Sequence, residues 1–202
     1  MEVRIEEEFF ARPIHEVAQD LLGRDLYRGE RRGRIVEVEV YEGKNDGASH
    51  ARKGVPTGRS WPMFGPPGTI YVYQIYGRYH CLNLRAGREE EPGAILIRAC
   101  EPLEGLKEMA RGRGLEIDGE ECLKRSVRKL MSGPARLTQA LGVDKSLNGR
   151  PVGEGLVLES GSPPGMAQIM RTPRVGLNRK TCGSCVDWQW RYLIADSIWV
   201  SR

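Results

Sequence analysis

Two glutamates, Glu37 and Glu39, lie on one face of an alternating run, Arg34-Ile35-Val36-Glu37-Val38-Glu39-Val40-Tyr41. In that pattern Val36, Val38 and Val40 point one way, while Ile35, Glu37, Glu39 and Tyr41 point the other. At a strand rise of roughly 3.3 Å per residue the carboxylates stand about 6.6 Å apart, a separation suited to an acid and a base acting on a glycosidic bond. Strand carboxylates opposite a valine face are also compatible with plain solvation. Tyr41 on the same face, and His50 in the following Asp46-Gly47-Ala48-Ser49-His50, weigh toward chemistry, because a carboxylate, an aromatic plate and a histidine donor can surround a planar base. His50 alone also fits a structural hydrogen-bonding role. With no second His or Cys at ligand spacing beside it, no metal site is expected.

Four of the seven tyrosines, Tyr71, Tyr73, Tyr76 and Tyr79, fall within nine residues. Aromatic residues favour strands, so sheet packing explains part of this. Tyr76 stands beside Gly77 at the expected tip of a hairpin, where an aromatic ring gains nothing from a core but can wedge between base pairs. Tyr73, on the opposite face, is placed to stack on a base turned out of a duplex. Arg31, Arg32, Arg34, Arg52, Lys53, Arg59, Arg78 and Arg85 bracket these tyrosines, with Lys124, Arg125, Arg128 and Lys129 later, the interleaving that a phosphate-tracking surface needs. Cys182-Gly183-Ser184-Cys185 is a lone CxxC without a second pair or a nearby His, and reads as structural or incidental thiols.

The elements that must hold these residues follow from periodicity. Pro13 to Gly23 predicts a packing helix with apolar residues at 14, 17, 18, 21 and 22. Residues 42–67 have no period and predict a long loop, of a kind that is usually functional or disordered. Thr69 to Tyr76 and Tyr79 to Arg85 predict a β-hairpin around a two-residue Gly77-Arg78 turn. Gly93 to Cys100 predicts a buried strand, and Leu103, Leu106, Met109 and Ala110 a short helix after it. Ser132-Gly133-Pro134 opens a further helix ending at Gly142, and short strands are expected at 155–159 and 190–194. The basic stretch Arg111 to Lys129 is expected to begin as a mobile insertion. One domain over residues 1–202 accommodates all of this.

Composition bounds the answer more loosely. With 40% apolar and 29% charged residues the chain fits a soluble globular protein, and no run approaches a membrane span. Its acidic start, Met1 to Glu8, is unlike a secretory signal, so a cytoplasmic protein is expected, nucleoid-associated if prokaryotic. Five cysteines are an odd set in a chain too large to need a disulfide framework. The net charge of +4 permits a polyanionic partner without demanding one.

The residues taken together resemble the alkyladenine (3-methyladenine) DNA glycosylase family. The matching runs are Ile35 to Tyr41, Asp46 to His50, Met63-Phe64, Pro67 to Gly77, Asn83, Ile97-Arg98-Ala99, Glu101 to Gly105, Ser132-Gly133-Pro134 and Arg174-Val175-Gly176, in family order across nearly the whole chain. Gly68-Thr69-Ile70-Tyr71-Val72-Tyr73-Gln74-Ile75-Tyr76-Gly77 is the most specific of them.

The resemblance implies an α+β fold: a single domain with a curved, largely antiparallel sheet, peripheral helices and a protruding hairpin. It implies that Glu39 is the general base for an attacking water, with Arg98 beside it and Glu37 a neighbour. Tyr41, His50, Tyr73 and Asn83 would form the pocket for a flipped base, Asn83 excluding purines with a 2-amino group. Tyr76 would fill the duplex gap, and Arg52, Arg59, Met63, Arg78 and Arg136 would contact DNA. The implied substrates are 3-methyladenine, 7-methylguanine, hypoxanthine and ethenoadenine in double-stranded DNA. Neither a cofactor nor a metal nor a Schiff-base lysine is implied, and a monomer is expected. Ser60 and Arg136 stand where the family more often has Asn and Lys, and the 180–190 stretch departs from the usual pattern. Because a fold does not by itself establish activity, a non-catalytic nucleic-acid-binding module of related fold is the first competitor. A hydrolase of free nucleosides or of RNA-borne modified bases is the second, and a free nucleoside would leave Tyr76 no gap to fill.

Overall fold

The computed structural model describes residues 7–116 and 127–201; residues 117–126 of the basic stretch, with Cys122, Lys124 and Arg125, lie outside them, while its start, Arg111-Gly112, is the end of a helix rather than a mobile insertion. Helices α1 (Glu7–Phe10) and α2 (Ile14–Leu21) come first, then strands β1 (Asp25–Arg28), β2 (Arg31–Tyr41), β3 (Ile70–Ile75), β4 (Tyr79–Arg85) and β5 (Ala94–Glu104). Helices α3 (Leu106–Gly112) and α4 (Pro134–Leu141) follow. Strands β6 (Val157–Glu159) and β7 (Ile169–Thr172), helix α5 (Arg179–Cys182) and strand β8 (Arg191–Ile194) complete the fold. All eight strands join one sheet in the order β3-β4-β5-β2-β1-β6, with β8 on β2 and β7 on β8, and every ladder is antiparallel. The fold is α+β.

The β2–β5 pair, eleven residues in each strand, is the spine. Along its other edge β2 changes partner: residues 31–34 pair with β1 and residues 37–39 with β8. The register slips where the partner changes. Ile35 opposes Cys100 and Glu37 opposes Ala99, leaving Val36 unopposed; Val38 then opposes Ile97, leaving Arg98 unopposed on β5. Such bulges re-aim side chains, and here they correct the simple alternation. Ile35 joins Val38 and Val40 in the main core, whereas Val36 lies outside it.

The sheet face bearing Ile35, Val38, Val40, Ile70, Val72, Leu82, Leu84, Ile95 and Ile97 carries that core. Helix α2 covers it with Ile14, Val17, Ala18 and Leu21, the i, i+3, i+4, i+7 stripe expected of it. Helix α4 adds Leu137, Ala140 and Leu141, and Gly142, at φ 70°, ends it with the left-handed residue that a side chain disfavours. Period-two geometry sends Glu39, Tyr41, Tyr71, Tyr73, Cys81, Asn83, Leu96 and Arg98 to the opposite face.

Strands β3 and β4 pair from Ile70–Leu84 to Ile75–Tyr79, so the connection is Tyr76-Gly77-Arg78, one residue longer than the expected turn. Tyr76 and Gly77 both take left-handed backbone, at φ 48° and 71°, and the Arg78 amide donates to the Ile75 carbonyl at 3.3 Å. A tyrosine in that region costs roughly 1–2 kcal/mol. Strand β1 and its tight link into β2 carry too many charged residues to read as a strand. They are held by buried Asp25, which accepts from Arg32 and Arg34 at 2.6 and 2.9 Å. Helix α3 begins after Leu103, which belongs to β5.

Candidate active site

The register lines up one row of residues across five strands: Tyr71 opposes Asn83, Asn83 opposes Leu96, Leu96 opposes Glu39, and Glu39 opposes Arg191. Neighbouring strands are about 4.8 Å apart, so the row spans roughly 19 Å along the cleft-bearing face. A cleft of about 870 Å³ opens there, walled by Tyr41, His50, Tyr73, Asn83, Arg98 and Val175 among others. That is ample for a purine with its sugar.

At its back stand the two carboxylates, both fully buried. Glu37 Oε1 accepts from Arg98 Nε (3.0 Å), Arg191 Nε (2.6 Å) and the Ser201 hydroxyl (2.8 Å), and Oε2 accepts from the Ser201 amide (2.5 Å). Glu39 Oε1 accepts from the Val175 amide (2.7 Å), while Oε2 accepts from the Tyr41 hydroxyl (2.9 Å) and Arg98 Nη1 (3.3 Å). A carboxylate offers about four acceptor positions. Among the described residues Glu37 accepts four donors, three on Oε1 and one on Oε2, and Glu39 accepts three, one on Oε1 and two on Oε2.

Two carboxylates facing two guanidiniums make the cluster neutral overall, which is how charges survive burial. Burial opposes the Arg98 charge, but Glu39 and Glu37 outweigh it and raise the Arg98 pKa further. Burial first, and Glu39 next, push the Tyr41 phenol far above its ordinary pKa, so it stays protonated and donates. Tyr41, Arg98 and Val175 all line the cleft, so Glu39 lies one side-chain layer behind its wall, its open acceptor position close to whatever that layer admits.

His50, Tyr71 and Tyr73 form an aromatic corner. The His50 ring meets Tyr73 edge-on at 4.8 Å, and its Nδ1 is 2.8 Å from the Tyr71 hydroxyl. Burial, then the charges of Arg59 and Arg52, lower the His50 pKa, so the imidazole is neutral at physiological pH and presents one donor and one acceptor nitrogen. Burial also keeps Tyr71 and Tyr73 protonated. Asn83, buried beneath them, is fixed by donating from Nδ2 to the Tyr71 carbonyl at 3.0 Å.

The rim is basic. Arg52 and Arg59 are exposed on the loop before β3, Arg59 lying over the Tyr73 ring at 5.9 Å. Arg128, Lys129 and Arg136 line the other side, Arg136 donating to the Ser132 hydroxyl at 3.1 Å. Arg78 lies over Tyr79 at 4.7 Å beside the hairpin tip, where Tyr76 is 88% exposed. Tyr73 and Tyr76 both border the cleft, because Tyr76 belongs to the turn and escapes strand alternation. Met63 departs from expectation. At 1% exposed it packs with Ala51, Tyr71 and Ala94 in the cleft wall, so it supports the pocket and makes no surface contact.

Three positions had no role in the sequence reading. Buried Arg174 grips Asp46 with both ends of its guanidinium (2.5 and 2.8 Å), donates to the Val40 carbonyl (2.8 Å) and lies over Tyr41 at 4.7 Å. It thereby ties the loop after β2 to the strand and aims the next amide, Val175, at Glu39. Arg191 and Ser201 enclose Glu37. Arg174 belonged to a recognisable run, but nothing local marks any of the three as a partner of a distant carboxylate. The CxxC gains a structural account. Cys182 and Cys185 are free and buried, Gly47 approaches so closely that a Cβ there would meet the Cys182 carbonyl at 2.7 Å, and the Cys185 carbonyl accepts from Arg174 at 3.4 Å. Burial first, then a hydrogen bond with Cys182, raises the Cys185 thiol to about 11. Among the described residues no three His, Cys, Asp or Glu side chains gather as a metal set, and no helix is long and apolar enough to cross a membrane.

An α+β sheet with a buried carboxylate behind an aromatic, basic-rimmed cleft is the outline of an enzyme that works on a planar ring carried by a polyanion. A family model described as Methylpurine-DNA glycosylase (MPG) matches residues 8–198. The chain belongs to that family, and is a DNA-repair hydrolase of N-glycosyl bonds. Among its relatives, a Streptomyces avermitilis protein described as "Putative 3-methyladenine DNA glycosylase" is 44% identical over 202 residues, 96% of this chain and 89% of that protein. Proteins of the same description from Alkaliphilus oremlandii and Nitrosococcus oceani are 38% and 42% identical, covering 99% and 96% of this chain and 100% and 90% of their own lengths.

Proposed function

We propose that this glycosylase turns a damaged purine out of duplex DNA into the aromatic corner and cleaves its bond to deoxyribose with a water activated by Glu39. The observation that carries the reading is how the two carboxylates are held: the three donors to Glu39, from Tyr41, Arg98 and Val175, all belong to residues that line the cleft and leave a position open on Oε1, whereas Glu37 accepts four donors, one of them from Arg191 outside the cleft wall. A water donating to that position can lose its proton to Glu39 as its oxygen attacks the anomeric carbon. The bond to the purine breaks with its electron pair leaving on the base, and the products are free purine and an abasic sugar. Arg98 Nη1 donates to Glu39 Oε2 and holds the carboxylate in place.

Tyr41, His50 and Tyr73 wall the base, with Asn83 beneath, and Tyr76 takes the place that the base vacates. Arg52, Arg59, Arg78 and Arg136 meet phosphates. Cationic 3-methyladenine and 7-methylguanine leave readily; hypoxanthine and ethenoadenine are neutral and need ring protonation as well. The names of the relatives support 3-methyladenine as the first lesion to try.

The test is single-turnover base release from duplexes carrying one lesion each, with Glu39→Gln beside the wild type. Release by the wild type, with binding but at least about 100-fold slower release by Glu39→Gln, supports the base assignment. Undiminished release by Glu39→Gln refutes it, and binding by both without excision of any lesion favours a binding module.

A further inference from the structure

We infer that Ser201 is a positioning residue for this reaction, locking the guanidinium of Arg98 into the orientation that faces Glu39. This inference rests on the reading of Glu39 and Arg98 as the reacting pair and adds a residue to which that reading gives no part.

Arg98 projects from a bulge, so the strand ladder fixes its backbone poorly and the side chain depends on its hydrogen-bond partners. Only Nη1 reaches Glu39, at 3.3 Å. Nε is bound to Glu37 Oε1 at 3.0 Å and shares the Ser201 hydroxyl oxygen at 3.3 Å, while Nη2 donates to the same oxygen at 3.1 Å. The hydroxyl proton is committed to Glu37 Oε1 at 2.8 Å. One hydroxyl thus accepts along the edge of the guanidinium and donates to the carboxylate that holds it. Its backbone is fixed as well: the Ser201 amide donates to Glu37 Oε2 at 2.5 Å, and Arg191 Nη2 donates to the Ser201 carbonyl at 3.3 Å.

A planar guanidinium held on one edge by a carboxylate alone can pivot about that contact. A second acceptor on the same edge removes the pivot and sets where Nη1 points. Ser201 lines the cleft and bonds Glu37 and Arg98 but makes no hydrogen bond to Glu39, so its effect on Glu39 runs through Arg98.

The experiment compares wild type, Ser201→Ala and Ser201→Thr in single-turnover excision at saturating enzyme, with DNA affinity and thermal melting measured on the same samples. The inference expects Ser201→Ala to lose about tenfold in the excision rate constant while its affinity for the lesion duplex stays within twofold, and Ser201→Thr to recover most of the rate. A rate for Ser201→Ala within twofold of wild type overturns it. So does a rate loss that follows lost affinity and melting temperature and that threonine does not restore, because that marks a purely structural contact. If the wild type itself releases no base, the glycosylase reading falls and this inference falls with it.

Discussion

Glu37 and Glu39 are two residues apart and equally buried, but their partners differ. Nothing in the Glu-Val-Glu spacing distinguishes them. The donors to Glu37 come from Arg98, Arg191 and Ser201, and the amide on Glu39 comes from Val175, 136 residues along the chain. Arg174 delivers that amide. Arg174→Lys keeps the charge but loses the two-pronged grip on Asp46, and should lower the melting temperature and slow excision about tenfold; an unchanged rate would detach the clamp from the chemistry. His50 makes a prediction in pH. Its folded pKa lies below the ordinary value, so between the two the unfolded chain binds more protons than the native one. Stability is therefore lost as pH falls from 7 through the ordinary histidine pKa, until the native state also protonates. Melting curves from pH 7.5 to 5 should show that loss for wild type and a smaller one for His50→Gln.

At the scale of elements, legibility depended on whether a signal was local. Helix α2 and helix α4 were legible because an apolar stripe, a proline at the start and a glycine at the end are written in consecutive residues. Leu21 and Leu137 belong to those stripes and are fully buried, and truncating either to alanine should cost about 2–5 kcal/mol in chemical denaturation; a loss below 1 kcal/mol would mean that the helix docks loosely. The hairpin was legible as well, apart from its turn, where a tyrosine takes backbone that tyrosines avoid. The bulges at Val36 and Arg98 were not, since Val-Glu-Val-Glu alternates identically with or without a slip and the slip is defined by the partner strand. Strands β1, held between β2 and β6, and β7, paired with β8, escaped because four-residue segments lean on long-range pairing and carry little apolar pattern.

For the whole molecule, a net charge of only +4 understates the field that DNA would meet, because arginines and a lysine gather on the cleft rim while the acidic residues nearest the cleft are buried and paired. Binding should accordingly weaken steeply with salt. Arg59→Ala and Arg136→Ala should each make the plot of log affinity against log salt shallower by about one unit, if each meets one phosphate; parallel plots would place both off the DNA path.

The left-handed backbone at Tyr76 carries a different kind of consequence. Selection for stability alone would replace this tyrosine, since its ring is 88% exposed and its φ of 48° suits asparagine or glycine better. Tyr76→Asn should therefore melt no lower than the parent while failing to hold a lesion open. A chain evolving without damaged DNA to meet would be expected to lose Tyr76 earlier than the buried carboxylates, whose removal would leave Arg98 and Arg191 short of partners.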